Sequence, residues 1–334
     1  MPWFNFSFQD FAVAFLSVLF EGVPFLLLGS LISGLVDVFV SSERITKMLP
    51  KRTGGAIFLS GLMGLIFPMC ECGSVVIIRR FLRKGLPLSC AATYMLAAPI
   101  VSPIVALSTY QAFVQSDQVD AALMTSLRLG IGYLLAVVVG FIIHNLRREQ
   151  VAQPGLMDAL GGRRRIGLTI GTEPAPQQDF SQQVAAATFP RKLLLAAQSA
   201  TADFLDVAFF FIIGVAITSV FNTGVNQEAL VPLASSPLLA ITSLMGLAAL
   251  LALCSTTDAF IAWTFTAFPT AAKLAFLLFG PMFDLKLFWL YGLIFRRRFI
   301  VFLGLGLFVA IALICWRLDA LQVFDTAAKL PPRP

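Results

Sequence analysis

Histidine is almost absent. His144, at the end of an apolar segment, is the only one, so no histidine metal site is available. No Gly-x-x-x-x-Gly-Lys-[Ser/Thr] occurs, which argues against ATP hydrolysis by this chain. Charge is scarce too: 13% of residues are Asp, Glu, Lys or Arg, against about 25% in soluble domains. No Lys or Arg precedes Arg44, so Met1–Asp10 is not expected to be a cleavable signal peptide. The cysteines, Cys70, Cys72, Cys90, Cys254 and Cys315, lack the spacing of a secreted disulfide scaffold. No cofactor and no enzymatic activity are expected from these absences.

What fills the chain is apolar sequence. Hydrophobic residues make up 58% of it, and the mean hydropathy is +0.87. A soluble domain is about 45–50% apolar, so this is expected to be an all-α polytopic membrane protein. The net charge of +6 collects at segment ends, where it signals topology rather than a nucleic-acid partner.

Segment one runs from about Phe11 to Val40 and is followed by Arg44, Lys47, Lys51 and Arg52. The positive-inside rule makes that loop cytoplasmic and the N-terminus external. Segment two, about Gly55 to Ile78, ends on a second basic cluster, Arg79, Arg80, Arg83 and Lys84. A segment with both ends on one side has not crossed. Its arms of about 12–21 Å fall short of about 30 Å of hydrocarbon, so a re-entrant hairpin over 55–80 is expected. Segment three spans about Leu88–Phe113, with an acidic external loop after it, and segment four about Ala121–Ile143. Residues 147–198 are polar and include Arg163-Arg-Arg165, the composition of a flexible cytoplasmic linker. Segment five is about Ala202–Phe221, followed by an external loop with Glu228. A second hairpin is expected over 237–268, then crossings at about Ala275–Phe295 and Phe299–Trp316, and a tail over 319–334.

The two halves, 1–146 and 199–318, match each other. A shift of 182 residues takes Met63 to Met245, Cys72 to Cys254, Pro87 to Pro269, Leu96 to Leu278 and Pro99 to Pro281. Glu21 and Gly29 face Asp206 and Gly214 at a shift of 185. Three crossings per half is an odd number, which forces opposite orientations. Two inverted repeats, each of three transmembrane helices plus one re-entrant hairpin, are the plan of a secondary transporter with its site at the repeat interface.

Two stretches break the apolar runs with polar, helix-interrupting sequence, Phe67-Pro-Met-Cys-Glu-Cys-Gly-Ser74 and Leu253-Cys-Ser-Thr-Thr-Asp-Ala-Phe260. Such backbone is tolerated in hydrocarbon only when buried in protein or lining a wet cavity. Cys70 and Cys72 would point about 200° apart on a helix, whereas extended backbone puts them on one side. Pro68 and Gly73 favour the extended form. With Cys254 they make a candidate soft-donor metal set, suited to Cu(I), Zn(II) or, by extension, As(III). The competing reading, a cysteine as a small apolar residue, is kept for Cys90 and Cys315.

The candidate substrate-binding residues are Cys70, Glu71, Cys72, Ser74, Cys254, Ser255, Thr256, Thr257 and Asp258. A carboxylate at membrane depth costs at least about 2.5–3.5 kcal/mol, so it usually faces a cavity and works as a ligand or proton carrier. Asp258, Glu71, Glu21, Asp206 and Asp284 are the proton-coupling candidates. The structural alternatives are an N-cap role for Asp258, interfacial positions for Glu21 and Asp206, and an Asp284–Lys286 pair.

Met69-Cys-Glu-Cys-Gly-Ser74, Gly85-Leu-Pro87, Ala97-Ala-Pro-Ile-Val-Ser-Pro103 and Cys254-Ser-Thr-Thr-Asp-Ala-Phe260 resemble the signatures of the bacterial predicted permeases of the YraQ/ArsP type. That family includes efflux permeases for trivalent organoarsenicals and members proposed to export copper or zinc. The resemblance covers Phe11–Ile143 and Ala200–Trp316. It implies a multi-pass permease of the bacterial plasma membrane, exporting its substrate.

The reading is therefore a secondary permease exporting a small thiophilic substrate by alternating access with proton coupling. Its partners are the lipid bilayer and a small-molecule or ion substrate; a homodimer is one assembly it allows. Two rivals are a permease or channel for a small sulfur-containing anion and a membrane thiol-redox protein using Cys70 and Cys72. The second is weakened because reactive pairs are more often Cys-x-x-Cys.

Overall fold

The computed structural model describes residues 8–39, 50, 52–66, 69–114, 120–146, 148–153, 188–224 and 236–324. Arg44, Lys47, Lys51, Pro68, Glu228, residues 115–119, the linker over 154–187 with Arg163–Arg165, and the tail over 325–334 lie outside the described residues. Among the described residues every regular element is a helix.

The first half contains α1 (Phe8–Phe39), α2 (Thr53–Ile66), α3 (Glu71–Arg83), α4 (Leu88–Ala97), α5 (Pro103–Phe113) and α6 (Ala121–Asn145). A short α7 (Arg148–Val151) follows. The second half contains α8 (Phe189–Gly224), α9 (Pro237–Leu251), α10 (Asp258–Thr264), α11 (Thr270–Met282), α12 (Leu285–Tyr291) and α13 (Arg297–Ala320). Five stretches are long and apolar enough to cross a membrane: Phe8–Phe39, Ala121–Asn145, Phe189–Val220, Thr270–Tyr291 and Arg297–Ala320. The chain is a multi-pass, all-helical membrane protein.

The 182-residue shift is visible in the helix bounds. α4 starts after Pro87 and α11 after Pro269. α5 starts after Ser102 and α12 after Asp284, and each of those side chains accepts a hydrogen bond from the backbone of its own helix. Segment three, expected as one crossing, is broken at residues 98–102, where Pro99 removes a backbone donor and Pro103 opens the next helix. Segment seven is broken in the same way at Phe283–Asp284. The tips differ. α3 begins at Glu71, whereas the second tip stays irregular from Ala252 to Thr257 before α10 begins.

α1 and α8 form the most extensive helix–helix interface. They run antiparallel: Gly22 lies against Phe211, Ser33 bonds to Asp203, and Ser199 bonds to Asp37. Small residues at Gly22 and Gly34 allow this approach, as expected where apolar lipid gives helices no hydrophobic reason to associate. α3 accompanies only the second part of α1. A Cβ on Gly29 would lie 3.0 Å from the Gly73 Cα, while one helix end further on Arg80 reaches Asp37.

Two boundaries differ from expectation. α8 starts at Phe189, inside the stretch assigned to the linker, because its apolar face continues through Ala196 and Ala200. The opening of the linker is also ordered: Gln153 N–H donates to Ile294 O and Arg296 N–H to Val151 O, each at 2.9 Å. These bonds tie the end of the first half to the α12–α13 turn.

Candidate functional site

The two irregular tips meet. One pocket is lined by Cys70, Glu71 and Cys72 of the first tip, Ala252 and Cys254 of the second, Val18, Glu21, Gly22 and Phe25 of α1, Phe211 of α8 and Lys286 of α12. Its cavity volume is about 10 Å³, room for about one water, and it is partly open. The Cys70 thiol stands beside those of Cys254 and Cys72.

Cys70 is extended (φ −68°, ψ 168°) and is the N-cap of α3. Cys72 is not extended, as the sequence had suggested, but sits in the first turn of that helix. The extended backbone ends one residue early because Glu71 and Ser74 stabilise the new turn: Ser74 N–H donates to Cys70 O, and the Ser74 hydroxyl donates to Glu71 O at 2.8 Å. Ser74 is therefore a turn-stabilising residue, and it does not line the pocket.

Lys286 neutralises the first tip. Its ammonium donates to Glu71 Oε1 at 2.9 Å and to Ala252 O at 3.1 Å, and it lies 3.6 Å from Asp284 Oδ2. Two of its three protons are donated to Glu71 and Ala252, while Asp284 compensates the charge at ion-pair distance. Glu71 Oε2 has no hydrogen-bond partner among the described residues. Ala252 is left-handed (φ 47°), a conformation that costs a non-glycine residue about 1–2 kcal/mol. It closes α9 and turns its carbonyl to Lys286.

Arg128 neutralises the second tip. This residue of α6 is fully buried, donates to Asp258 Oδ2 at 2.6 Å and Ser255 O at 3.0 Å, and holds the Thr109 hydroxyl oxygen at 2.7 Å. Asp258 is thus the partner of a resident cation. It is the first residue of α10, not its N-cap, which is Thr257. Each tip carboxylate begins a helix, and each is held by a cation from the opposite half.

The remaining candidates separate. Thr257 donates to Glu21 Oε1 at 3.1 Å, and Thr256 to the Cys254 sulfur at 3.7 Å, so both brace pocket residues. Ser255 contributes its carbonyl to Arg128. Asp284 caps α12 by accepting from Leu287 N–H at 2.6 Å. Asp206, the sequence counterpart of Glu21, is outside the pocket and pairs with Arg79 at 3.2 Å. The antiparallel register explains this: Phe211, not Asp206, stands opposite Gly22. Among the described residues no group of three or more His, Cys, Asp or Glu is gathered in a form that could hold a metal ion.

Sequence reasoning missed Arg128 altogether and saw Lys286 only as a companion of Asp284. The signal for Arg128 was present, since a lone arginine inside a 25-residue apolar helix must find an internal partner.

A family profile of the ArsP type, described as predicted permease, matches residues 7–316. The chain belongs to this permease family. It is 33% identical over 309 residues to the UPF0718 protein YcgR of Bacillus subtilis, covering 92% of this chain and 96% of that protein. It is 32% identical over 288 residues to a Streptococcus mutans protein named "putative two-component membrane permease complex subunit", covering 86% and 87%. No solved structure matches it. The family is one of permeases rather than enzymes, so the buried charges and thiols of this permease belong to a membrane transporter.

Proposed function

We propose that this permease exports a small, electron-poor, thiophilic substrate, a trivalent arsenical or a soft metal ion, through the pocket between the two tips. The observation that carries the reading is the set of soft and acidic groups gathered there. Cys70, Cys72, Cys254 and Glu71 line the pocket, one Glu71 carboxylate oxygen has no hydrogen-bond partner among the described residues, and Lys286 is matched by two buried carboxylates. Sulfur ligands and a free carboxylate oxygen suit an electrophile. An anion would need an uncompensated cation, and the charge of Lys286 is already matched by Glu71 and Asp284, which disfavours the sulfur-anion reading.

Coupling to protons follows from the same groups. Cys70, Cys72, Cys254, Glu71 and Glu21 share the pocket. A metal ion that bonds to a thiol sulfur displaces its proton. Cargo and protons thus occupy the same atoms in turn, as antiport requires.

The transport cycle we propose is alternating access between two inverted repeats with re-entrant hairpins. The antiparallel packing of α1 on α8 supports the inversion. The lengths of α2, α3 and α9, 14, 13 and 15 residues, or about 20–22 Å of helix, support hairpins that stop near mid-membrane. In this reading the N-terminus is external, the basic segment ends and linker are cytoplasmic, and the membrane is the bacterial plasma membrane.

Uptake into everted vesicles tests the proposal, with methylarsenite, Cu(I), Zn(II) and thiosulfate offered with and without a proton gradient. Gradient-dependent accumulation of the arsenical or a soft cation, lost in Cys72→Ser and Cys254→Ser, is the expected result. Transport of thiosulfate alone, indifferent to both substitutions, would refute it.

A further inference from the structure

The charged residues that close the far end of α3 form a cluster distinct from the pocket. Arg80 bridges Asp37 of α1 at 2.9 Å and Asp203 of α8 at 2.6 Å, and also donates to Ser199 at 2.8 Å. Arg79 pairs with Asp206, and Arg83 stands 4.0 Å from Asp203. Lys84 donates to the carbonyls of Val36 and Asp37 at the end of α1. Ser33 donates to Asp203 and Ser199 to Asp37, so every acid in the cluster except Asp206 is held from two helices. The side chains of Arg80, Asp37 and Asp203 are only 11%, 12% and 6% exposed.

Its position gives the cluster a role. On α1 the pocket residues Val18, Glu21, Gly22 and Phe25 all precede Gly29, whereas Ser33, Val36 and Asp37 follow it. Glu21 and Asp37 are about 24 Å apart along the helix. Between them α1 packs closely on α3 at Gly29 and Gly73 and on α8 at Gly34. The cluster therefore lies beyond a close-packed stretch, on one side of the pocket, and joins α3 of the first half to α8 of the second.

We propose that this cluster, centred on Arg80 and Asp203, is the inner gate of the permease, closed in this conformation. The inference rests on the permease reading. Opening the pocket toward this side requires α3 to separate from α1 and α8, which breaks the Arg80 bridge. Separated side chains regain water at the cytoplasmic surface, so the gate is reversible where a pair deep in hydrocarbon would not be. Removing Arg80 strips Asp203 and Asp37 of their shortest ion pairs, and removing Asp203 leaves Arg80 only Asp37; either loss weakens the closed form alone and so favours the open form.

Thiol labelling tests this on the full chain with Cys90→Ala and Cys315→Ala, so that Cys70, Cys72 and Cys254 are the remaining thiols. The probe is a membrane-impermeant cationic methanethiosulfonate, added to right-side-out and to everted vesicles. The parent is expected to react from the outer face and little from the inner face. Arg80→Gln and Asp203→Asn should each raise the inner-face rate by about tenfold or more, the shift that one unmet partner produces in a two-state equilibrium. Arg80→Lys, which keeps a cation between Asp37 and Asp203, should stay near the parent value and so separate loss of the charge from loss of the fold. An inner-face rate unchanged in both single variants, with outer-face labelling retained, would overturn the gate and leave a static staple. Methylarsenite uptake in the same vesicles tests the transport reading separately. A shift in sidedness without uptake would support the gate and remove the proposed cargo.

Discussion

Replacing Lys286 by Met should cost this permease about 3–5 kcal/mol of stability, the usual penalty for removing one partner of a buried ion pair. The reasoning starts from burial. The side chains of Lys286 and Glu71 are 4% and 1% exposed, and Asp284 is wholly buried beside them. Methionine keeps the packing volume but supplies no proton, so Glu71 Oε1 and the Ala252 carbonyl both lose their donor. An ordinary side-chain hydrogen bond within a membrane protein is worth only about 0.6 kcal/mol, with about 1.7 as a measured maximum. The two accounts therefore predict different numbers. Thermal or denaturant unfolding in detergent, for Lys286→Met, Glu71→Gln and the double variant, separates them. The double variant should be more stable than Lys286→Met alone, because only Asp284 and no longer Glu71 is left without its cation, with a coupling of about 1–3 kcal/mol. A loss below about 1.7 kcal/mol for Lys286→Met, with additive single effects, would refute the ion-pair argument and leave a plain hydrogen bond.

Other expectations follow from particular contacts. Arg128→Leu should reduce folded protein in membranes far more than Arg128→Lys, because Asp258 needs a cation and an ammonium still supplies one; equal yields, measured by fluorescence-detected size exclusion, would contradict this. Gly29→Val should separate α1 from α3 and abolish uptake, while Gly29→Ala, with its Cβ 3.0 Å from the Gly73 Cα, should cost about 1–3 kcal/mol. Ala252→Gly should raise stability by about 1 kcal/mol by relieving the left-handed backbone, and a lower melting temperature would argue against that conformation. Cys90→Ala should leave uptake intact, since its thiol is fully buried and outside the pocket, whereas Cys70→Ala should not; equal loss in both would remove the special standing of the tip cysteines.

The sequence by itself determined the membrane class and the two interruptions, and it raised the expectation of a doubled chain. Each of these is local or periodic. Apolar runs are counted along the chain, Pro87 and Pro269 mark equivalent helix starts, and Ser102 and Asp284 mark equivalent caps. Cys70, Glu71, Cys72 and Cys254 were legible as a group because polar residues interrupt apolar runs at both places and the 182-residue shift sets Cys72 against Cys254. Tertiary structure alone decided which charge meets which. Lys286 and Glu71 are 215 residues apart, Arg128 and Asp258 are 130 apart, and Arg80 and Asp203 are 123 apart. Nothing in local sequence fixes such pairs, because any buried acid will accept any cation the packing delivers. The basic run Arg79–Lys84 shows the limit. Read along the chain it is a topology signal, and in three dimensions it is also the counter-charge for Asp37, Asp203 and Asp206. Asp206 shows the reverse case: read along the sequence it is the counterpart of Glu21, but the antiparallel register of α1 and α8 carries it away from the pocket and onto Arg79.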